Sequence, residues 1–345
     1  MKNNTWVGVD LAKNIIQVCI VKSKKVFSNI DMRPEEFKSW LARSKPATII
    51  FEACGTANYW QQIAIEYGHD AKQINAKLVA MVRQNQKTDK NDALAIAQAC
   101  QLPDVKFVSG KTFKQQELQT IVRMKELTTK HKVATQNQIR ALLLEFGIKT
   151  SARSSLGRIV GSVLEDGENG FSIEFRRALS SAWQLLSTLI KTLAEHDKAL
   201  EKLASVTKEC KTFMALEGVG PLNAVNLYML LVCGEQGTFR SGRDASACVG
   251  LTPIQHSTGG KVKLGSIGRH IKNHSMRSTL VSGAMSVCNH VSRREPKTEK
   301  EVWLKSLMER KGKRCAAVAL ANKTIRTAFA LIAKETEYQA TALAA

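Results

Sequence analysis

Apolar residues in the first hundred positions fall in short blocks separated by turns. Trp6–Val9 reads as a short strand, followed by β-rich runs at Ile15–Val21 and Lys25–Ile30. Pro34 opens a helix over Pro34–Arg43, at the first-turn position where proline is tolerated. Ala47–Glu52 reads as a buried strand, Asn58–Tyr67 as a helix ended by Gly68, and Asp92–Gln101 as an alanine-rich helix. Three strands at hairpin spacing, then alternating strand and helix, predict a mixed α/β sheet.

Beyond residue 105 the pattern becomes helical. Phe113–Phe146 contains no Gly or Pro, enough for roughly 50 Å of helix. Leu118, Ile121, Leu127, Val133, Ile139, Leu142 and Leu143 form its apolar seam. Ser172–Ala204 carries a similar one: Leu179, Trp183, Leu186, Leu189, Ile190, Leu193, Leu200 and Leu203. Gly147, Gly157, Gly161, Gly167 and Gly170 punctuate the stretch between. Two such helices fit an antiparallel coiled-coil arm; two ordinary helices on a globular body fit as well. The last part is shorter helices with glycine turns. Gly218-Val219-Gly220-Pro221 precedes a helix over Leu222–Val232. Backbone N–H groups of Gly218 and Gly220 at a helix start suit an anion, as in a helix-hairpin-helix turn on a DNA backbone; a plain tight turn is the other reading. The chain thus divides into 1–108 (α/β), 109–205 (helical arm) and 206–345 (mainly helical).

Charge sharpens this. With 51 Lys plus Arg against 30 Asp plus Glu, the 345-residue chain carries +21, which points to a polyanionic partner, nucleic acid first. An apolar content of 44% excludes a wholly disordered basic tail. The surplus is +4 over residues 1–105, +6 over 106–205 and +11 over 206–345. No carboxylate occurs between Asp244 and Glu295, a stretch holding Lys261, Lys263, Arg269, Lys272, Arg277, Arg293 and Arg294. The tightest phosphate contacts are therefore expected there. On the long helix, Arg123, Lys125, Lys130, Lys132 and Arg140 are candidate nucleic-acid contacts or a solvated face. At 6% aromatic residues, base stacking is not the main binding device. The eight cysteines show no CxxC or zinc spacing and read as buried hydrophobes in a reducing cytoplasm. No signal peptide and no membrane span are expected; the longest apolar run, Val225–Val232, is too short.

Four carboxylates stand out. Asp10 and Glu52 end apolar strands, where charge needs a reason. Asp89 and Asp92 are three apart in Lys87-Thr88-Asp89-Lys90-Asn91-Asp92-Ala93 and share a face if the helix begins by Asp89. Gathered together, oxygen ligands of this kind suit Mg²⁺ or Mn²⁺, and paired metals are the usual device for breaking a phosphodiester. Taken singly, Asp89 reads as a helix cap, Asp92 as a first-turn charge, Asp10 as a turn cap and Glu52 as a lysine partner.

In order along the chain, Gly8-Val9-Asp10-Leu11-Ala12-Lys13, Phe51-Glu52-Ala53-Cys54-Gly55 and Lys87–Ala93 resemble the Asp-Glu-Asp-Asp transposases of the insertion-sequence one-ten family. So do Phe239-Arg240-Ser241, Val249-Gly250-Leu251-Thr252-Pro253, Gln255-His256-Ser257-Thr258-Gly259-Gly260-Lys261 and Leu264-Gly265, the last set similar to the eleven-eleven subgroup. The resemblance covers essentially the whole chain. It implies a RuvC-like (RNase H fold) N-terminal domain, a coiled-coil insertion and a mainly helical C-terminal transposase domain. It implies a recombinase guided by a bridge or seeker RNA that pairs with donor and target DNA, acting as a homotetramer built from two homodimers. Asp10, Glu52, Asp89 and Asp92 would take the metal roles with Mg²⁺ (or Mn²⁺). The composite site would join domains of different subunits.

The resemblance further implies a serine nucleophile forming a phosphoserine link, corresponding to Ser257, with Thr258 in reserve. Beside Gly259-Gly260 the serine is expected on an exposed, sharply turned loop, with Lys261 and Lys263 stabilising phosphate charge. Its activation would come from adjacent His256, a metal-bound hydroxide or a carboxylate. Relatives usually carry a glycine where Ile271 and Lys272 stand, ahead of Met276-Arg277. Arg269, Lys272 and Arg277 are therefore expected only as phosphate contacts. Two other classes remain open: a RuvC-type nuclease resolving branched DNA by water attack, which needs no Ser257, and a non-catalytic nucleic-acid scaffold.

Overall fold

Alternating side chains along the first strands sort themselves to two faces of one sheet. A computed structural model describes residues 5–108, 110–150, 155–233, 239–268 and 274–343. They divide into two compact units. The first runs to Gln116 and includes Cys233. It contains β1 (Thr5–Leu11), β2 (Ile16–Lys22), β3 (Lys25–Met32), α1 (Pro34–Arg43), β4 (Thr48–Glu52), α2 (Ala57–Glu66), β5 (Asp70–Ile74), α3 (Ala76–Val82) and α4 (Asp89–Ala99). The strand order is β3-β2-β1-β4-β5. β1 is antiparallel to β2 and parallel to β4, and β4 is parallel to β5. This mixed sheet is consistent with the RuvC-like domain that the sequence leads one to expect.

Val7, Val9, Ile49 and Phe51 face one way, packing with Phe37 and Leu41 of α1 and Trp60 and Ala64 of α2. The alternate positions face α3 and α4: Ile50 and Ile74 meet Val79 and Ile96, and Cys19 and Val21 meet Ala93 and Ala97. The period-2 rule thus puts Trp6, Gly8 and Asp10 on the α4 side, with Ile50 and Glu52. Gly8 is what lets α4 approach. A Cβ there would lie 2.2 Å from the Ala93 carbonyl oxygen and 2.6 Å from the Ala97 nitrogen. The sequence pattern missed β5 and α3. β5 reads Asp-Ala-Lys-Gln-Ile, with too few apolar residues to show a strand.

The second unit takes Glu117–Val232 and the residues from Phe239 on. The helix α5 (Phe113–Glu145) enters it, followed by α6 (Leu156–Glu165), α7 (Ile173–Val206), α8 (Lys208–Met214), α9 (Pro221–Leu231), α10 (Gly242–Cys248), a hairpin of β6 (Pro253–Thr258) and β7 (Lys261–Ile267), α11 (His274–Val291) and α12 (Glu299–Lys334). α5 and α7 run antiparallel. Val122 clusters with Leu200 and Lys125 bonds Asp197 at 2.6 Å, while at the far end Ile139 and Leu143 meet Leu179 and Leu186. The expected continuous seam is not what α5 buries, because Leu127, Val133 and Leu142 are exposed. α7 keeps Leu179, Leu186, Leu193 and Leu200 buried at heptad spacing. A third helix, α6, closes the far end with Leu156, Val160 and Val163. It lies in the glycine-punctuated stretch, where Gly157 makes room for the Trp183 ring.

The core of this unit gathers Phe213, Val225, Leu280, Leu304, Leu320 and Ile325 from α8, α9, α11 and α12. α12 kinks at Gly312, whose φ of 79° and ψ of 161° are non-helical. By length and composition alone, α12 is long and apolar enough to cross a membrane. Ala316, Ala317, Leu320, Ala321, Ile325 and Ala328 of that helix lie in the core, so its apolarity has a packing explanation.

Candidate active site

Asp10 and Glu52 lie at the carboxyl ends of neighbouring parallel strands. Val9 pairs with Phe51, so the two acids that follow sit side by side and on the α4 face. α4 begins at Asp89, as the shared-face argument requires, and puts Asp89 and Asp92 in its first turn. Thr88 caps it, accepting from the Asn91 backbone N–H at 3.3 Å. The start of α4 is tied to the sheet edge: Gln17 donates to Asn29 Oδ1 at 2.8 Å, and Asn29 Nδ2 donates to the Lys90 carbonyl at 2.9 Å.

The electrostatics register the gathering. Burial, and then the negative charges of Asp92, Asp89 and Glu52, push the Asp10 carboxyl up to about 6. Burial and Asp92 also raise Glu52, against the pull of Lys87 and Arg83. Asp92, only 7% exposed, accepts from Arg83 Nη1 at 2.7 Å. Among the described residues no three His, Cys, Asp or Glu side chains are close enough to enclose a metal ion. The donor set nevertheless fits a hard divalent cation in kind, being all oxygen and mutually repelling. Arg83 engages Asp92 through Oδ1. Sequence reading singles out neither Arg83 nor Gly8. Arg83 carries no local signal, whereas a glycine inside an apolar strand marks a close approach.

Ser257 lies on an exposed strand rather than in a loop. Gly259 and Gly260, with φ of 55° and 78°, form the tight two-residue turn of the β6–β7 hairpin, which requires left-handed backbone at both positions. Ser257 pairs with Val262 and Gln255 with Leu264; His256 pairs with Lys263 and Thr258 with Lys261. Opposed residues share a face. Ser257 therefore shares its face with Gln255, whose Nε2 donates to its Oγ at 3.3 Å. His256, Thr258, Lys261 and Lys263 occupy the other face. Adjacency in sequence thus separates His256 from Ser257, and the two lysines side with Thr258.

Arg277 reaches under the hairpin. Its Nε donates to the Gly250 carbonyl at 3.3 Å, and its guanidinium fills the space that a Cβ on Gly268 would need. Gly220 is the exposed N-cap of α9. Gly218 is pressed onto α11, where its own Cβ would stand 2.7 Å from the Gly283 carbonyl oxygen. Its left-handed φ of 78° thus serves helix packing. Arg269 and Lys272 lie outside the described residues.

Strand-end carboxylates on a mixed sheet, carried in one chain with a strongly cationic helical unit, fit the class of enzymes that work on nucleic-acid phosphates. Comparison with known proteins narrows the class. Residues 7–148 match the family model of the DEDD transposases of IS110. Residues 210–299 match that of the transposase IS116/IS110/IS902 family. The chain is 32% identical to the transposase for insertion sequence element IS1111A of Coxiella burnetii, over 98% of this chain and 92% of that protein. It is 32% identical to the putative transposase y4pF/y4sB of Sinorhizobium fredii, over 96% and 85%. It is 24% identical to a pilin gene-inverting protein of Moraxella lacunata, over 96% of each. The chain belongs to the IS110 family of insertion-sequence transposases, and is thus a DNA-rearranging enzyme.

Proposed function

We propose that this transposase is an RNA-guided recombinase that cuts and rejoins DNA through a phosphoserine at Ser257, with Mg²⁺ (or Mn²⁺) held by Asp10, Glu52, Asp89 and Asp92. The observation that carries the serine step is the hairpin. It presents an exposed hydroxyl, aligned by Gln255, on a strand that leads into a tight turn, inside a stretch without carboxylates. A nuclease using water has no need of it. A relative named for gene inversion supports recombination, since inversion both breaks and rejoins strands.

In the step proposed, the Ser257 Oγ–P bond forms as the phosphodiester P–O bond to the displaced strand breaks. The serine proton passes to a base, and the leaving oxygen takes one up. Attack by a DNA hydroxyl on the phosphoserine reverses the exchange and releases Ser257. Asp10 and Glu52, on rigid strand ends, and Asp89 and Asp92, on the first turn of α4, would hold the ion, which when bound lends Lewis-acid charge to the phosphoryl oxygens. Lys261, Lys263 and Arg277 serve as phosphate contacts, as would Arg269 and Lys272; in the Gly218–Gly220 turn, Gly218 packs on α11 and Gly220, the exposed N-cap of α9, would face a phosphate. The RNA guide, the dimer-based tetramer, the coiled-coil character of α5 and α7 and the helix-hairpin-helix character of the Gly218 turn rest on the resemblance. The surplus of +21 suits a complex holding RNA and DNA together.

The test is a denaturing gel of protein incubated with element-end DNA. Ser257→Ala abolishes the covalent protein–DNA adduct while DNA binding survives. A Ser257→Ala protein that cuts normally returns the chain to the RuvC-type nuclease reading. Sequencing RNA that co-purifies from the native element tests the guide: RNA mapping to the element's own flank is expected.

A further inference from the structure

We infer that a cleft between α10 and the second half of α12 is a nucleotide pocket, taking one unstacked base of a DNA strand with the neighbouring phosphates on its rim. The cleft lies wholly in the second unit and has a volume of about 1370 Å³. That exceeds the usual range for small-molecule sites, roughly 300–1,000 Å³, and leaves room for a base with its sugar and phosphates. Its walls are apolar, formed by Leu251, Trp303, Val318, Ala319 and Phe329. Its rim is cationic, formed by Arg243, Arg277, Arg314, Lys323 and Arg326, and no carboxylate lines it.

The local chain builds this shape. Gly242 lets α10 settle on α12, since a Cβ there would lie 3.0 Å from Arg326 Cα. The kink at Gly312 precedes Arg314 and Cys315, which both line the cleft. Lys323 Nζ stands 4.7 Å from the centre of the Trp303 ring, pairing a cation with an aromatic wall. Arg243, Arg314 and Arg326 make no ion pair among the described residues. Like charges gathered without counter-ions repel, and a bound anion relieves them.

Charge and shape together select the occupant. A free phosphate would satisfy the rim and leave the walls bare. An intact duplex offers phosphates but keeps its bases stacked. A second copy of this chain brings the same +21 surplus to a cationic rim. An unstacked base flanked by phosphates meets both demands, as in enzymes that bind flipped or single-stranded nucleotides. The inference rests on the DNA-rejoining reading, because breaking and rejoining strands passes through unpaired nucleotides.

The test uses the full-length protein and a fluorescein-labelled single-stranded DNA, against its duplex and the RNA of the same sequence, followed by anisotropy across a salt series. Single-stranded DNA is expected to bind tightest. Arg243 and Arg326 both carry exposed side chains. Arg243→Gln combined with Arg326→Gln is expected to weaken binding about tenfold and flatten the log K against log salt slope by about 1.4, since each phosphate no longer neutralised takes away about 0.7. Trp303→Ala is expected to cost about tenfold with an unchanged salt slope, and Trp303→Phe to restore binding, because the effect is one of stacking. Affinity and slope unchanged in the double arginine variant, with wild type binding DNA, overturn the pocket alone. Wild type that binds no DNA overturns the underlying reading. A double arginine variant that loses affinity for the RNA and keeps its affinity for single-stranded DNA overturns the assignment to DNA. A changed sedimentation coefficient in the arginine variant, with binding intact, assigns the cleft to a protein interface instead.

Discussion

The Arg83 guanidinium bonds the Asp92 carboxylate at 2.7 Å, so one of the four gathered acids already has a counter-ion from the protein. Removing it leaves Asp92 facing Asp10 and Glu52 uncompensated. The pair is partly exposed, with side-chain exposures of 24% and 10%, so its loss should cost less than the 3–5 kcal/mol of a fully buried pair, about 1–2 kcal/mol. Arg83→Gln is therefore expected to melt earlier than wild type in EDTA, and to gain more from added MgCl₂. Thermal melts with and without the ion check this. An equal gain in both proteins would mean that the ion does not bind at these carboxylates.

Gly8 and Ala93 make the second case. A methyl on Gly8 meets main-chain atoms of α4 at 2.2 and 2.6 Å, and backbone cannot swing aside as a side chain can. Gly8→Ala should force α4 off the sheet at about 2–3 kcal/mol and carry Asp89 and Asp92 away from Asp10. Strand cleavage is expected to fall by more than the lost stability accounts for at a temperature where the variant remains folded. Cleavage unchanged at that temperature would show that the start of α4 need not be held so closely.

These two contacts mark where sequence reading succeeds and where it stops. Asp10 and Glu52 were legible because charge at the end of an apolar strand is costly and local. Pro34 and Gly68 fixed helix ends for equally local reasons. The β6–β7 hairpin was not legible as strands, because none of it is buried and its alternation is confined to the four residues Lys261-Val262-Lys263-Leu264. Its register decides which side chains accompany Ser257. Arg83 and the α10–α12 cleft depend on contacts between distant segments, for which one sequence offers no period or spacing. The 6% aromatic content, which argued against stacking platforms, is silent about a single Trp303 set in a cationic cleft.

The hairpin register yields the third prediction. Lys263 is paired with His256, on the face away from Ser257. Lys263→Ala should weaken DNA binding and flatten its salt slope by about 0.9, the share of one phosphate. With DNA saturating, the amount of covalent adduct should match wild type. A loss of adduct at saturation would place the lysine at the reacting phosphate and favour Thr258, which shares its face, as the nucleophile.

Glu217 joins the turn before Gly218 to the far end of the chain. It accepts from Lys300 Nζ at 2.5 Å and from the Tyr338 hydroxyl at 2.7 Å. Burial works to raise its carboxyl, but the hydrogen bonds from Lys300 and Tyr338 outweigh that and hold it below the usual range. A depressed folded value means the folded state favours the charged form. The stabilisation is therefore complete above the unfolded value of about 4.5 and is lost as pH falls through the lower folded value. Glu217→Gln should cost about 1–2 kcal/mol at pH 7, as expected for hydrogen bonds to a charged group, and little below pH 3. Urea midpoints taken from pH 7 to pH 3 should thus converge for the two proteins on the acid side. A constant gap across that range would mean that Glu217 stabilises by packing, independent of its charge.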